Sequence, residues 1–174
     1  MIIEDVKKMK NVVDAIIEIP LGSKNKFEID EKTHRVKLDR VLYSAMNYPA
    51  EYGYIENTLS DDGDPLDILV ISNSPTYPGC IVSARILGYL KMIDNGMLDY
   101  KLIAVVNADP RFNEIQTLSD LPKFRLDEIK DFFTNYKKLQ NIPVEVDEYH
   151  SKEEAIEILE YCLNKYKEAE NETN

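Results

Sequence analysis

The sequence predicts an α+β fold, in which an antiparallel barrel or sheet of short strands has two helices packed outside it. Two patterns predict this fold. Short apolar runs separated by polar turns occupy the first part of the chain. Further along, the apolar side chains change to helical spacing in two separate segments. The length of 174 residues suits one core, so we expect a single domain over residues 1–174.

The strand candidates follow one another along the chain. Residues 12–20 are rich in valine and isoleucine, which favour strands. Residues 27–29 and 36–38 alternate apolar and polar side chains around a polar segment, which is typical of a hairpin. Three further apolar runs are expected to form strands, at residues 68–72, 81–92 and 102–107. Asn95 and Gly96 separate the last two runs and predict a two-residue hairpin turn.

Two helices are expected after the strands. The first is indicated by apolar side chains at Leu126, Ile129, Phe132, Phe133 and Tyr136. The second follows Ser151, with Glu154 three residues later as a capping box. Its apolar positions are Ala155, Ile158, Leu159, Cys162 and Tyr166. We expect residues 1–10 to form an arm or short helix and residues 168–174 to form a polar tail that frays.

Composition narrows the class of partner. The chain carries 21 basic and 32 acidic residues, a formal charge of −11. This charge argues against non-specific binding to nucleic acid or to an anionic membrane, because both require a basic surface. No apolar run is long enough to span a membrane, and the start of the chain does not resemble a secretion signal. Two distant cysteines outside any CxxC pair suit reduced thiols, so we expect a cytoplasmic protein.

A tight acidic segment is the most informative local feature. Residues 62–67 read Asp-Gly-Asp-Pro-Leu-Asp, so Asp62, Asp64 and Asp67 lie on one turn before an apolar run. Carboxylates this close raise one another's pKa unless cations neutralise them, and hard ions such as Mg²⁺, Mn²⁺ or Ca²⁺ suit oxygen ligands. An EF-hand loop is excluded, because the glycine and the twelfth residue are wrong for it. A solvated acidic turn is the alternative explanation.

A second acidic pair strengthens the metal interpretation. Asp94 and Asp99 flank the predicted turn at Asn95 and Gly96. If the chain reverses there, the two carboxylates come close together in space, although either one alone is commonly a turn former. The sequence therefore offers five carboxylates on two turns, a set that could hold more than one divalent ion.

Basic and phenolic side chains supply candidates for binding an anion. Lys26, Arg40, Lys101 and Lys137 lie in or beside apolar segments, and such groups bind phosphate oxygens well, although each could be a surface base. The segment 48–54 places three tyrosines together, and phenols can donate hydrogen bonds to developing negative charge. Two dispersed histidines and two dispersed cysteines argue against zinc. Together these residues indicate metal-assisted phosphoryl hydrolysis.

With these motifs the chain resembles the family I soluble inorganic pyrophosphatases of the short prokaryotic type. Residues 62–68 have the family's DxDPxD form, and residues 44–54, 88–105 and 132–137 are also similar, within a resemblance that spans about residues 12–149. The resemblance implies that pyrophosphate is hydrolysed to two phosphates by direct attack of a metal-activated water. It implies several Mg²⁺ ions per subunit, with Mn²⁺ or other divalent ions as substitutes. It also implies a five-stranded OB-like antiparallel barrel and a homohexamer.

The resemblance further implies a role for each matching residue. The metal ligands would be Asp62, Asp67, Asp94, Asp99, Glu18 and Glu28. The substrate-binding residues would be Lys26, Arg40, Tyr52, Lys101, Tyr136 and Lys137. The catalytic residues would be Asp64, Lys101, Arg40 and Tyr52. Asp64 would orient or deprotonate the attacking water, and Tyr48 would support the network.

Two alternatives and one departure accompany this interpretation. The acidic cluster alone would also permit a metal-dependent phosphatase acting on an organic ester, or a catalytically silent barrel that binds metal or anion. A nucleic-acid-binding barrel is disfavoured by the charge of −11. The chain has no tryptophan, whereas many members of the family carry one or two after the Tyr-Lys pair. We expect this departure to alter packing or subunit contacts there and to leave the chemistry intact.

Overall fold

We describe the protein from a computed structural model that covers residues 11–30 and 32–173. Within these ranges the strands are β1 (Val12–Ile19), β2 (Asn25–Ile29), β3 (Val36–Val41), β4 (Glu51–Ile55), β5 (Leu66–Ile71), β6 (Ile81–Asp94), β7 (Met97–Val106) and β8 (Val144–His150). The helices in the same ranges are α1 (Lys123–Asn135) and α2 (Lys152–Thr173). The arm expected over residues 1–10 lies outside the described residues.

Five of the strands close into a ring. Their order is β1-β4-β5-β7-β6, and β6 pairs back with β1. The predicted five-stranded OB-like arrangement is therefore confirmed, with one difference in strand direction. The pair β5–β7 is parallel, and the other pairs of the ring are antiparallel. The chain leaves β5, runs through β6 and reverses at the hairpin, so β7 returns in the direction of β5.

Both predicted hairpins are present. β2 and β3 form a separate two-stranded sheet, and β8 extends the main sheet along the far end of β6. The β6–β7 turn places Asn95 and Gly96 at φ values of 50° and 80°, the left-handed conformation that a two-residue turn requires. Its register pairs Asp94 with Met97 and Met92 with Asp99, so the two aspartates lie diagonally on one face.

The two helices cover different parts of the ring. On α1, Ile129, Phe132 and Phe133 are buried in one apolar cluster, and Phe132 packs on Tyr48 with ring centroids 4.7 Å apart. Buried residues of α2 belong to a second cluster, with apolar side chains of β1, β5 and β6. The helical predictions are thus confirmed, and residues 168–173 continue α2, which differs from the predicted frayed tail. A hydrogen bond from Tyr166 to Glu170 supports that last part of the helix.

Neither helix of the described ranges is apolar enough over sufficient length to cross a bilayer.

Candidate active site

The acidic segment forms the loop that leads into β5. The hydroxyl of Thr58 closes the base of this loop by accepting a hydrogen bond from the amide of Leu66 at 2.9 Å. At the tip, Gly63 has a φ of 89°, a conformation that favours glycine. The amide of Asp64 donates to Oδ1 of Asp62 at 3.0 Å. The loop therefore holds both carboxylates on one short turn.

A buried lysine links this loop to the hairpin of β6 and β7. The Nζ atom of Lys101 lies 2.6 Å from Oδ2 of Asp67 and 2.8 Å from Oδ2 of Asp99, and its side chain is 3% exposed. The parallel register of β5 and β7 places Asp67 directly opposite Lys101. Tyr52 joins the group, because its hydroxyl donates to Asp67 and accepts from Lys101, each at 2.8 Å. Burial opposes the charge on Lys101, but attraction to Asp67, Tyr52 and Asp99 raises its pKa well above the ordinary value.

Asp94 lies at the end of β6, beside the residues that follow α1. Its Oδ2 atom accepts hydrogen bonds from Lys137 at 2.5 Å and from the hydroxyl of Tyr136 at 3.2 Å. Its Oδ1 atom is buried and has no hydrogen-bond partner among the described residues. A buried carboxylate oxygen left unpaired is costly, so this atom favours the approach of a cation or a donor.

Two acidic groups near the loop carry incompletely neutralised charge. Burial, followed by repulsion from Asp67 and Glu28, raises the pKa of Glu18 to about 7. Burial, followed by repulsion from Asp62 and Asp67, also raises the pKa of Asp64. Asp67 contributes to both shifts and therefore lies near both groups. Such a group of acids binds cations favourably.

The basic side chains near the site carry positive charge that is incompletely neutralised. Lys26 and Arg40 face each other across the β2–β3 hairpin. Burial, followed by repulsion from Arg40, Lys137 and Lys101, lowers the pKa of Lys26 to about 8. A cluster of cations that repel one another binds an anion favourably, and phosphate oxygens suit lysine and arginine.

Two of the predicted residues lie at the rim. Glu28 pairs with Lys37 at 3.4 Å, and Arg40 lies 3.5 Å from Asp39. All four of these side chains are well exposed to solvent. The structure therefore brings most of the predicted site residues together, and leaves these two at the edge of the site on the hairpin.

The donor chemistry fits hard divalent ions. The oxygen of Asp94 without a partner and the raised pKa of Glu18 both indicate a demand for positive charge. Burial also raises the pKa of Asp99, although the attraction of Lys101 opposes that effect. Over residues 11–30 and 32–173, no three histidine, cysteine, aspartate or glutamate side chains are arranged around one point. The residues thus fit divalent ions by charge and ligand type, without outlining individual ion positions.

Tyr48, which was predicted to support the network, is buried and packs on Tyr52, with ring centroids 5.3 Å apart. Other functional or structural groups were not identified from the sequence. The buried Glu51 accepts hydrogen bonds from Thr76 and is a structural group. Contacts between α2 and the acidic loop were also missed, because they join residues about a hundred positions apart.

The OB-like ring and its hairpin carry carboxylates that suit hard cations, together with lysine and arginine side chains that suit phosphate. This combination defines the class of metal-dependent phosphoryl hydrolases. A family model described as inorganic pyrophosphatase matches residues 15–167. This chain belongs to the inorganic pyrophosphatase family. The inorganic pyrophosphatase of Halalkalibacterium halodurans is 55% identical over 156 residues, which are 90% of this chain and 96% of that protein.

Solved structures agree with the family assignment. The crystal structure of inorganic pyrophosphatase from Thermus thermophilus is 42% identical, with a TM-score of 0.87, over 90% of this chain and 92% of that one. The inorganic pyrophosphatase from Helicobacter pylori is also 42% identical, with a TM-score of 0.88, over 91% of this chain and 95% of that one. The predicted enzyme class, an inorganic diphosphatase dependent on divalent metal, is confirmed.

Proposed function

We propose that this enzyme hydrolyses pyrophosphate with Mg²⁺ held by its carboxylates and with both phosphates held by its cations and phenols. The observation that carries the proposal is a paired imbalance of charge. Within one group of charged side chains, the pKa of Glu18 is raised to about 7 and the pKa of Lys26 is lowered to about 8. A complex of divalent cations with a pyrophosphate anion has the complementary arrangement of charge, with cations toward the acids and phosphate toward the bases.

The acidic residues are proposed to hold the ions. The proposed ligands are Asp62, Asp67, Asp94 and Asp99, with Glu18 contributing from β1 and Glu28 from the rim. Mg²⁺ is the ion proposed, with Mn²⁺ as a substitute, because all these donors are hard oxygens. Bound divalent ions neutralise charge on the substrate and lower the pKa of water toward neutrality.

Asp64 is the proposed base. It lies on the exposed part of the acidic loop, two residues after Asp62, and its pKa is raised by burial and by neighbouring carboxylates. A carboxylate with a raised pKa accepts a proton from water more readily than an ordinary surface aspartate. We therefore assign to Asp64 the orientation of the attacking water and the removal of its proton.

The basic and phenolic residues are proposed to hold the two phosphates. Lys26 and Arg40 reach from the hairpin, and Tyr136 and Lys137 follow α1. Lys101 and Tyr52 lie between the two groups, where they donate to oxygens that gain charge as the bridging bond breaks.

We also propose that the subunits assemble as a homohexamer, that the chain forms one domain, and that it works in the cytoplasm. Large apolar side chains on the surface, including Tyr43, Tyr77, Phe124 and Leu139, support subunit contacts. The free cysteines Cys80 and Cys162 are compatible with a reducing compartment. The molar mass of the purified protein in solution, measured by light scattering, tests the hexamer.

A phosphate-release assay tests both the proposed reaction and the assignment of Asp64 as the base. With Mg²⁺ the protein is expected to release phosphate from pyrophosphate and little from p-nitrophenyl phosphate. Asp64→Asn is expected to lower turnover by on the order of 10²-fold or more, while Mg²⁺ binding is retained. Asp14→Asn removes the same charge from an exposed position on β1 and serves as the control.

Three outcomes would contradict the proposal or one of its assignments. Hydrolysis of the ester without hydrolysis of pyrophosphate would favour an organic phosphatase, and the lack of turnover with any divalent ion would favour a binding module. Near-normal turnover of Asp64→Asn would remove Asp64 from the role of base.

A further inference from the structure

Helix α2 holds the start of the acidic loop through consecutive residues. The amide of Leu59 donates to the carbonyl oxygen of Cys162 at 3.0 Å. The next residue, Ser60, has its Oγ atom 3.8 Å from Sγ of Cys162. Its carbonyl oxygen accepts from Nζ of Lys165 at 3.4 Å. These contacts join the loop to a helix whose buried face is fixed on the ring.

The next loop residue makes the closest contacts with the helix. Oδ1 of Asp61 accepts hydrogen bonds from the hydroxyl of Tyr161 at 2.8 Å and from Nζ of Lys165 at 2.7 Å. Tyr161 and Lys165 are four residues apart and therefore lie on one face of α2. Asp61 directly precedes the first proposed metal ligand, so both donors act one residue away from Asp62.

The anchored residues are bonded in turn to the acidic turn. The amide of Ser60 donates to the carbonyl oxygen of Asp64 at 2.8 Å, and the amide of Gly63 donates to the carbonyl oxygen of Ser60 at 3.1 Å. A displacement of Ser60 away from the helix would therefore displace the backbone that carries Asp62 and Asp64.

We propose that Tyr161 and Lys165 are positioning residues, which fix the acidic loop so that its carboxylates are preorganised for divalent ions. The inference rests on the proposed function of this site. Side chains that hold a site in its binding geometry reduce the cost of ordering the ligands when the ion binds. The hydrogen bonds of the two residues to the loop go to Asp61 and Ser60, neither of which is a proposed metal ligand.

An ordinary surface ion pair would have different consequences. Lys165 and Asp61 are 32% and 48% exposed, so their attraction adds little to global stability. The direct electrostatic effect of Lys165 on a nearby cation is repulsive, so removal of its charge should strengthen cation binding. A positioning role predicts the opposite, namely weaker binding. The two explanations therefore differ in sign.

Titration of the substrate-free protein with Mg²⁺ by calorimetry tests the inference. Tyr161→Phe, which leaves the charge unchanged, and Lys165→Met are each expected to weaken binding by about threefold to tenfold, less than the ~10–100-fold typical of groups that bond a metal ligand directly. Lys165→Arg keeps a charged donor and is expected to restore part of the affinity.

Two controls lie on the same helix. Tyr166→Phe removes a hydroxyl that bonds Glu170 within α2, and Lys167→Met removes an equal charge from an exposed position. Both are expected to bind Mg²⁺ like the unaltered chain. Circular dichroism melts confirm that each variant is folded.

Kinetics supply a second readout. For Tyr161→Phe, the Mg²⁺ concentration that gives half the maximal rate should rise by the same factor as the dissociation constant, while kcat at saturating Mg²⁺ is retained. Unchanged Mg²⁺ affinity in Tyr161→Phe, or tighter binding in Lys165→Met, would overturn the inference. Asp67→Asn distinguishes a failure of the proposed metal site from a failure of the positioning role. If Asp67→Asn leaves Mg²⁺ binding intact, the proposed metal site is wrong. If Asp67→Asn loses Mg²⁺ binding but Tyr161→Phe and Lys165→Met keep it, only the positioning role is wrong.

Discussion

Replacement of Glu18 by glutamine should stabilise the protein when divalent ions are absent. Burial, together with repulsion from Asp67 and Glu28, opposes the negative charge of Glu18 in the folded state. Glutamine keeps the shape and an acceptor for the backbone hydrogen bond from Ile29, but it removes the charge. The expected gain in stability therefore measures the cost of burying this charge among other acidic side chains.

The magnitude follows from the change in pKa. The ordinary value for Glu18 is 4.5, and the folded protein raises it to about 7. Between these values the folded state holds a proton that the unfolded chain has released, so stability falls as the pH rises. The full penalty is present above pH 7. It amounts to on the order of 3 kcal/mol, because one pKa unit corresponds to ~1.4 kcal/mol.

Urea unfolding followed by circular dichroism, in EDTA, measures this effect. The free energy of unfolding of Glu18→Gln should exceed that of the unaltered protein slightly at about pH 5, and by on the order of 3 kcal/mol at about pH 8. Saturating Mg²⁺ should reduce or reverse the difference, because bound cations neutralise Glu18 in the unaltered protein. Glu114→Gln removes the same charge from an exposed position and serves as the control.

A difference between the two proteins that is the same at both pH values would refute the reasoning. So would a Glu114→Gln control that shows the same pH dependence, because the effect would then come from the net charge of the protein.

Two predictions concern the framework that carries the site. Gly53→Ala should destabilise the fold by about 3 kcal/mol or more, because the added Cβ would lie 1.9 Å from the carbonyl oxygen of Ile16; a change in urea unfolding below ~1 kcal/mol would contradict this. Arg85→Met should cost about 2–4 kcal/mol by leaving the buried carbonyl oxygen of Phe112 and the part-buried carbonyl oxygen of Ile115 without their donor. Activity per folded molecule should not change, and Arg111→Met, at a side chain that is 73% exposed, is the control.

The strands that sequence analysis identified are those with a regular pattern. The turn at Asn95 and Gly96 was predictable because few residues adopt its backbone conformation without strain. Strand β4 was missed because its buried positions are Glu51, Gly53 and Ile55. A charged residue and a glycine at interior positions hide the alternation that marks a strand. Glu51 tolerates burial through its hydrogen bonds to Thr76, and Gly53 permits the close approach of β1.

The candidate site was predictable to the extent that its residues are close in the sequence. Asp99 and Lys101 are two residues apart on one strand, a spacing that places both side chains on the same face, and Nζ of Lys101 lies 2.8 Å from Oδ2 of Asp99. The contact of Lys101 with Asp67 depends on the register of β5 against β7, which no local pattern specifies. The contacts of α2 with the acidic loop join residues about a hundred positions apart and could not be inferred from spacing either.

The site residues that are on strands belong to two separately paired sets of strands, the closed ring and the β2–β3 hairpin. Asp67, Asp99 and Lys101 are on strands paired on both sides, whereas β2 and β3 pair only with each other among the described strands. The ring therefore holds these three residues, whereas Lys26, Glu28 and Arg40 lie on a hairpin that is paired separately. Substitutions in the β2–β3 hairpin could therefore alter the binding of phosphate by Lys26 and Arg40, while the strands that carry Asp67 and Asp99 stay unchanged.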